Sequence, residues 1–208
     1  MAIREIFDAV LALDEAQTAD IVQAELDRGT DVMTLLNEGL IAAMDEVGKR
    51  YSQGVLFVPE MLMAAQAMKR GVAVLRPHLA ATGARPRGTI VIGTVKGDQH
   101  DIGKNLVAMM LECAGFKVID LGVDVDAGKF LAAARKSNAD IVAMSALLTT
   151  TMSVMEAVIS KLKPDGSHFK TMAGGAPVTE AFAHKIGADG YSPDAPGAVT
   201  VARRLVAQ

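Results

Sequence analysis

The segment GTVKGDQHDIGKNLV, Gly93 to Val107, sets one histidine among carboxylates in the run Asp98, Gln99, His100, Asp101. A carboxylate two residues before a histidine on a loop can accept its ring N–H. That contact fixes the tautomer and strengthens the opposite nitrogen as a donor, as it does behind metal-bound histidines. The segment matches neither the dinucleotide pattern G-x-G-x-x-G nor a P-loop, and it places acids where a phosphate cradle needs bare N–H groups. The remaining histidines, His78, His168 and His184, are scattered along the chain, so no three-ligand zinc set offers itself. A single histidine ligand suits a metal that arrives already held in a macrocycle. A phospho-acceptor reading would gather acids at one strand end. Asp98, Asp101 and Asp120 supply some, without a paired cluster.

The elements that must position these residues alternate after Gly88. Strand runs at 89–95, 117–121, 140–144 and 169–173, with a short one at Gly190-Tyr191, are separated by helical stripes such as Ile102, Leu106, Met110 and Leu111. This rhythm implies a doubly wound parallel sheet, whose ligands sit beyond the carboxyl ends of the strands. His100, Gly122, Ser145 with Leu147 to Thr151, Gly174-Gly175 and Asp194-Ala195 each follow a strand, so one rim collects them all. Residues 1–76 read as helix throughout, with Leu35, Leu36, Leu40, Met44 and Val47 spaced for one buried face and Pro59 opening a further helix. An all-α bundle is expected there. Residues 77–88, which contain ATGARPRG, read as a linker before an α/β domain at 89–208.

Composition narrows the function classes. Half of the 208 residues are hydrophobic, which fits a packed globular chain. The net charge of −3, with both signs dispersed, gives no case for nucleic acid or an anionic membrane. No apolar run reaches the roughly 20 residues of a membrane span. Arg4, Glu5 and Asp8 interrupt any signal-peptide core. Cys113, alone in the chain, is expected to be a small buried hydrophobe, and a cytoplasmic protein fits the whole pattern.

Asp98-Gln99-His100-Asp101-Ile102-Gly103 resembles the D-x-H-x-x-G motif of corrinoid-binding proteins. Ser145-Ala146-Leu147 is similar to that family's S-x-L motif and Gly174-Gly175 to its G-G motif, in the same order and at strand ends. Upstream, YSQGVLFVPEMLMAAQAMKRGV resembles the helical cap of cobalamin-dependent methionine synthase and of small corrinoid proteins serving methylamine, methanol, betaine or methoxyaromatic methyltransferases. The resemblance covers essentially the entire chain. It implies a helical cap followed by a Rossmann-like, flavodoxin-like cobalamin-binding domain.

The resemblance also assigns roles. His100 would be the lower axial ligand of cobalt in a base-off, His-on corrinoid. Asp98 would hold its imidazole, and Thr151, at a position that is serine in methionine synthase, would extend a proton relay. Gln99, Asp101, Ile102, Gly103, Ser145, Leu147, Thr149, Gly174, Gly175, Asp194 and Ala195 would line the cofactor, the glycines leaving room for its nucleotide tail. Tyr51 and Val58 match cap residues that shield the methyl group, with Tyr51 standing in for a phenylalanine. The chain would not be a catalyst alone. It would accept a methyl group on Co(I) from a substrate-specific methyltransferase and present methyl-Co(III) to a second one that uses tetrahydrofolate or coenzyme M. A reductive activase would restore Co(I), and the linker would act as hinge. Alternatives remain beside this: the cobalamin subunit of a mutase, a cobalamin-dependent sensor or regulator, and an α/β module without a corrinoid. Blander readings also stand, with Ser145 as a helix cap, Gly174-Gly175 as turn chemistry, Tyr51 and Val58 as core, and Asp14-Glu15 as a solvated face.

Overall fold

The computed structural model describes residues 2–82, 85–163 and 168–207. The chain forms two compact units, Met1–Arg85 and Pro86–Gln208. The first is helical: α1 (Ala2–Leu11), α2 (Glu15–Asp27), α3 (Val32–Thr34), a π-helical stretch (Leu35–Ile41), α4 (Ala42–Ser52) and α5 (Val58–Thr82). Leu35 and Leu40 lie five residues apart and are both fully buried, which the wider π turn permits. Ile6, Val10, Val22, Met44, Val47, Met61 and Leu75 complete this core. At Gly71 a Cβ would come within 2.9 Å of Leu40 and 3.2 Å of Thr18, so a larger residue on α5 would require the Leu40 side chain to shift.

Three local expectations shift. Asp14 is not simply solvated: its carboxylate accepts the Gln17 N–H at 2.9 Å and caps α2. Helix α5 begins at Val58, with Pro59 second, and the Phe57 N–H donates to Glu60 Oε2 at 3.0 Å. The same helix runs through Pro77 to Thr82, so the segment expected to be a linker from residue 77 is helical for its first half. Leu75 is fully buried and Leu79 is half-buried one turn on, and this packing carries the helix past the local stop signal. Residues 83 and 84 of the expected linker lie outside the described residues.

The second unit contains β1 (Thr89–Thr94), α6 (Ile102–Cys113), β2 (Lys117–Asp120), α7 (Ala127–Ser137), β3 (Ile141–Ser145), α8 (Met152–Leu162), β4 (Lys170–Gly174), α9 (Glu180–Lys185), β5 (Gly190–Tyr191) and α10 (Ala195–Val206). All strand pairs are parallel, in the order β2-β1-β3-β4-β5. Side chains alternate across the sheet. Val91, Val142, Met144 and Ala173 join Phe130, Ala134, Met155 and Val158 in one buried cluster beneath α7 and α8. Ile90, Ile92, Ile141 and Ala143 are buried on the opposite face, where α6 packs beside α10. In this strand order the chain reverses its winding between β1 and β3, and the crevice beyond those two carboxyl ends is where such folds bind ligands. No helix among the described residues is long and apolar enough to cross a membrane.

Phe130 is fully buried, and a Cβ on Gly93 would come within 3.0 Å of its ring. Truncation to Phe130→Ala is expected to cost about 3–5 kcal/mol in urea unfolding of the apoprotein. A loss near zero would contradict this packing.

Candidate functional site at the carboxyl ends of β1 and β3

Beyond Thr94 the chain turns, with the Asp98 N–H donating to Val95 O at 3.1 Å and Gly97 in the left-handed region at φ 85°. The turn drives the Asp98 side chain inward until nothing of the residue is exposed. A buried carboxylate must be met by donors, and here the donors come from two loops. Oδ1 accepts the ring Nδ1–H of His100 at 2.7 Å and the His100 backbone N–H at 3.1 Å. Oδ2 accepts the N–H groups of Leu147 and Leu148, at 2.8 and 3.2 Å, and the Thr151 hydroxyl at 2.9 Å. Burial alone would raise the carboxyl's pKa. The bonds from Leu147, His100 and Thr151 outweigh it and hold Asp98 well below the usual carboxylate range.

The pairing assigns the proton of the neutral ring to Nδ1 and the lone pair to Nε2. The imidazole is about half exposed, at 52%, and Nε2 has no partner among the described residues. His100 thus presents one fixed nitrogen donor at the sheet's rim. Among the described residues no group of three or more His, Cys, Asp and Glu side chains is placed to hold a metal ion.

Around this donor the expected residues divide. Ser145 ends β3, and its hydroxyl and that of Thr149 make no hydrogen bond among the described residues. Gln99, Asp101 and Gly103 are exposed. Ile102, Leu147 and Leu148 expose 82%, 43% and 40% of their surface, an apolar rim beside the histidine. A Cβ at Gly103 would meet nothing within 4 Å, so the fold itself does not require a glycine there. Gly175 is the opposite case: at φ 131° its Cβ would lie 1.9 Å from Ala146 O, so the approach of β4 to β3 demands it. Gly174 lies close to Ser192 O, which a Cβ would approach to 3.3 Å. Asp194 caps α10 by accepting the Gly197 N–H at 2.7 Å, and Ala195 is buried. That cap starts α10 at Ala195.

In the helical unit, Tyr51 and Val58 are half-buried. The large exposed apolar side chains nearby in sequence are instead Val55, Phe57, Leu62 and Met63.

Sequence reading missed several groups. Thr94 is fully buried, and its hydroxyl donates to His100 O at 2.9 Å. Lys104, in the first turn of α6, is buried and ion-paired to Asp120 at the end of β2, and it donates to Asn105 Oδ1 at 2.6 Å. A buried cation at a helix N-terminus is unfavourable without such a partner. The three acids considered for a phospho-acceptor cluster therefore have separate tasks. Asp98 holds His100, Asp120 pairs Lys104, and Asp101 accepts from the Asn105 side chain at 3.1 Å. A buried threonine just before a loop, and a lysine inside an amphipathic stripe, were the only signals available.

A family model described as "B12 binding domain" matches residues 88–200, and a second model with the same description matches residues 2–76. The chain is 43% identical over 203 residues to trimethylamine corrinoid protein 1 of Methanosarcina acetivorans, covering 96% of this chain and 94% of that one. It is 44% identical over 204 residues to a dimethylamine corrinoid protein of Methanosarcina barkeri, covering 96% and 91%. Its fold is similar to a chain in the crystal structure of the methanol:cobalamin methyltransferase complex MtaBC from Methanosarcina barkeri. The TM-score is 0.87 at 33% identity, covering 99% of this chain and 80% of that one.

Because the folded pKa of Asp98 lies below its unfolded value of about 3.9, its charge stabilises the apoprotein above that pH. The contribution is lost as pH falls toward the folded value. An amide in its place offers one acceptor and turns two donors toward N–H groups, so Asp98→Asn is expected to cost about 3 kcal/mol at pH 7. The gap to wild type in urea unfolding should narrow by pH 3. A gap independent of pH would contradict the charged assignment.

Proposed function

This chain belongs to the corrinoid proteins built from B12 binding domains, and we propose that it is a methyl carrier whose His100 Nε2 is the lower axial ligand of a corrinoid cobalt. The observation that carries this reading is the Asp98–His100 pair, with Nδ1 bound at 2.7 Å and Nε2 left without a partner among the described residues. When bound, the corrinoid supplies a cobalt that takes up a methyl group and gives it up again.

The chain's own residues suit that group. Nε2 replaces the cofactor's own base, giving the base-off, His-on arrangement. The hydroxyls of Ser145 and Thr149, unengaged among the described residues, are available to the displaced base. The open space at Gly103 suits the nucleotide tail, and the first turn of α6, which has no side-chain cap, favours its phosphate. Ile102, Leu147 and Leu148 offer apolar surface to the macrocycle. Asp98 tunes the imidazole by holding or releasing charge. The Thr151 hydroxyl has two acceptors at 2.9 Å, Asp98 Oδ2 and Leu148 O, and one proton to give. A proton arriving on Asp98 Oδ2 would turn the Thr151 hydroxyl toward Leu148 O and leave its oxygen to accept from the carboxyl, the first link of the relay in which we place Thr151. Tyr51 and Val58 are read as shielding residues of the helical unit.

The partners in this reading are a substrate-specific methyltransferase, a second methyltransferase that moves the methyl group to its acceptor, and a reductive activase that restores the reduced cobalt. The similarity to a chain of a methanol:cobalamin methyltransferase complex supports the first of these. The choice of methyl donor rests with that partner, since related chains are named for trimethylamine and dimethylamine. A cytoplasmic location completes the reading.

The test is the visible absorption spectrum of the protein reconstituted with hydroxocobalamin, wild type beside His100→Ala. Stoichiometric binding with a histidine-dependent spectrum is expected. A variant spectrum identical to wild type would remove His100 as the ligand, and no uptake by either protein would remove the carrier function.

A further inference from the structure

We propose that Asp124 is a positioning residue for His100, clamping the histidine loop from the neighbouring β2–α7 loop. The proposal rests on His100 being the cobalt ligand. Asp124 takes the left-handed conformation at φ 56°, which aspartate tolerates better than most side chains. In that conformation two of its groups reach the same turn. Its N–H donates to Asp98 O at 3.1 Å, and its Oδ1 accepts the Gly97 N–H at 2.8 Å. The two grips fall on the residues two and three positions before His100.

The clamp stands on a fixed base. Val125 pairs with Val95 in a parallel bridge, and its N–H donates to Thr94 O at 3.0 Å. Asp126 caps α7 by accepting from Gly128 and Lys129 at 2.8 and 3.0 Å. Asp124 itself is exposed and contributes no side chain to the core. Its carboxylate makes no described contact other than with Gly97. An exposed residue that adopts an uncommon backbone conformation and bonds the histidine's turn at both Gly97 and Asp98 serves the placement of that turn. Asp98 can meet Leu147 and His100 together only while the turn keeps its path.

The experiment titrates hydroxocobalamin into the full chain, comparing wild type, Asp124→Asn, Asp124→Gly and Asp124→Ala, with Asp124→Ala repeated in the His100→Ala background. Asparagine keeps an acceptor oxygen and the conformation, so its affinity should stay within about twofold of wild type. Glycine keeps the conformation and loses the acceptor, so Asp124→Gly and Asp124→Ala should both bind about three- to tenfold more weakly. Their spectra should also show a component lacking histidine coordination. In the His100→Ala background the Asp124 substitution should cost nothing further, because it acts through the histidine. In the apoprotein, amide exchange at Gly97 should quicken in Asp124→Gly and Asp124→Ala and be restored in Asp124→Asn. Unchanged Gly97 exchange, wild-type affinity in Asp124→Gly, or an equal loss in both backgrounds would each overturn the proposal. A His100→Ala protein that binds and absorbs like wild type would instead overturn the ligand reading beneath it, and with it the claim that Asp124 acts on cobalt ligation.

Discussion

The candidate site depends on one carboxylate with no access to water. Asp98 is fully buried, and its charge survives because three backbone N–H groups, a ring N–H and a hydroxyl converge on it. Those donors lie on the β1–α6 and β3–α8 loops, which the sheet order makes neighbours. A single ion therefore joins the two sides of the switch point and orients the one imidazole there. If the donors fail, the carboxylate must take a proton or leave the interior, and the histidine loses its bearing.

The rest of the α/β unit serves that constraint. Parallel pairing of β1 with β3, from Ile90–Ile141 to Thr94–Ser145, brings both loops to one level. Gly175 admits the β4 end against Ala146, so that Ser145 stands at the rim. Lys104 and Asp120 tie the start of α6 to β2, and Thr94 holds the carbonyl of His100. The histidine is thus held at its ring, its N–H and its carbonyl, while Nε2 has no partner among the described residues. The chemistry is left to the bound group, and the protein's part is to hold that group in place.

Much of this was legible in the sequence. The strand–helix rhythm gave the parallel sheet, and Asp98-x-His100 announced a carboxylate–imidazole pair because the two lie in one turn. Partners far apart in sequence were not legible. Leu147 and Thr151 meet Asp98 across 49 and 53 residues, so backbone donors from a distant loop carry no local signal. Pro77 misled because a proline marks a helix end only where packing does not override it, and Leu75 supplies that packing. Gly103 and Gly175 read alike as motif glycines, yet one faces open space and the other a backbone oxygen. Asp194 and Ala195 were legible as residues that follow β5, but their local task was not: Asp194 caps α10 and Ala195 begins its buried first turn.

The most direct measurement of the central claim is the electron paramagnetic resonance spectrum of the Co(II) form, prepared with cobalamin and with protein carrying either ordinary or 15N-labelled histidine. A nitrogen ligand on the cobalt axis splits each cobalt line according to its own nuclear spin. If His100 Nε2 is the lower ligand, the triplet splitting of the ordinary protein becomes a doublet in the labelled one. A splitting that ignores the label would place the cofactor's own base on the metal, and no axial nitrogen splitting would leave the position without a nitrogen ligand. Either result would contradict the role assigned to the Asp98–His100 pair.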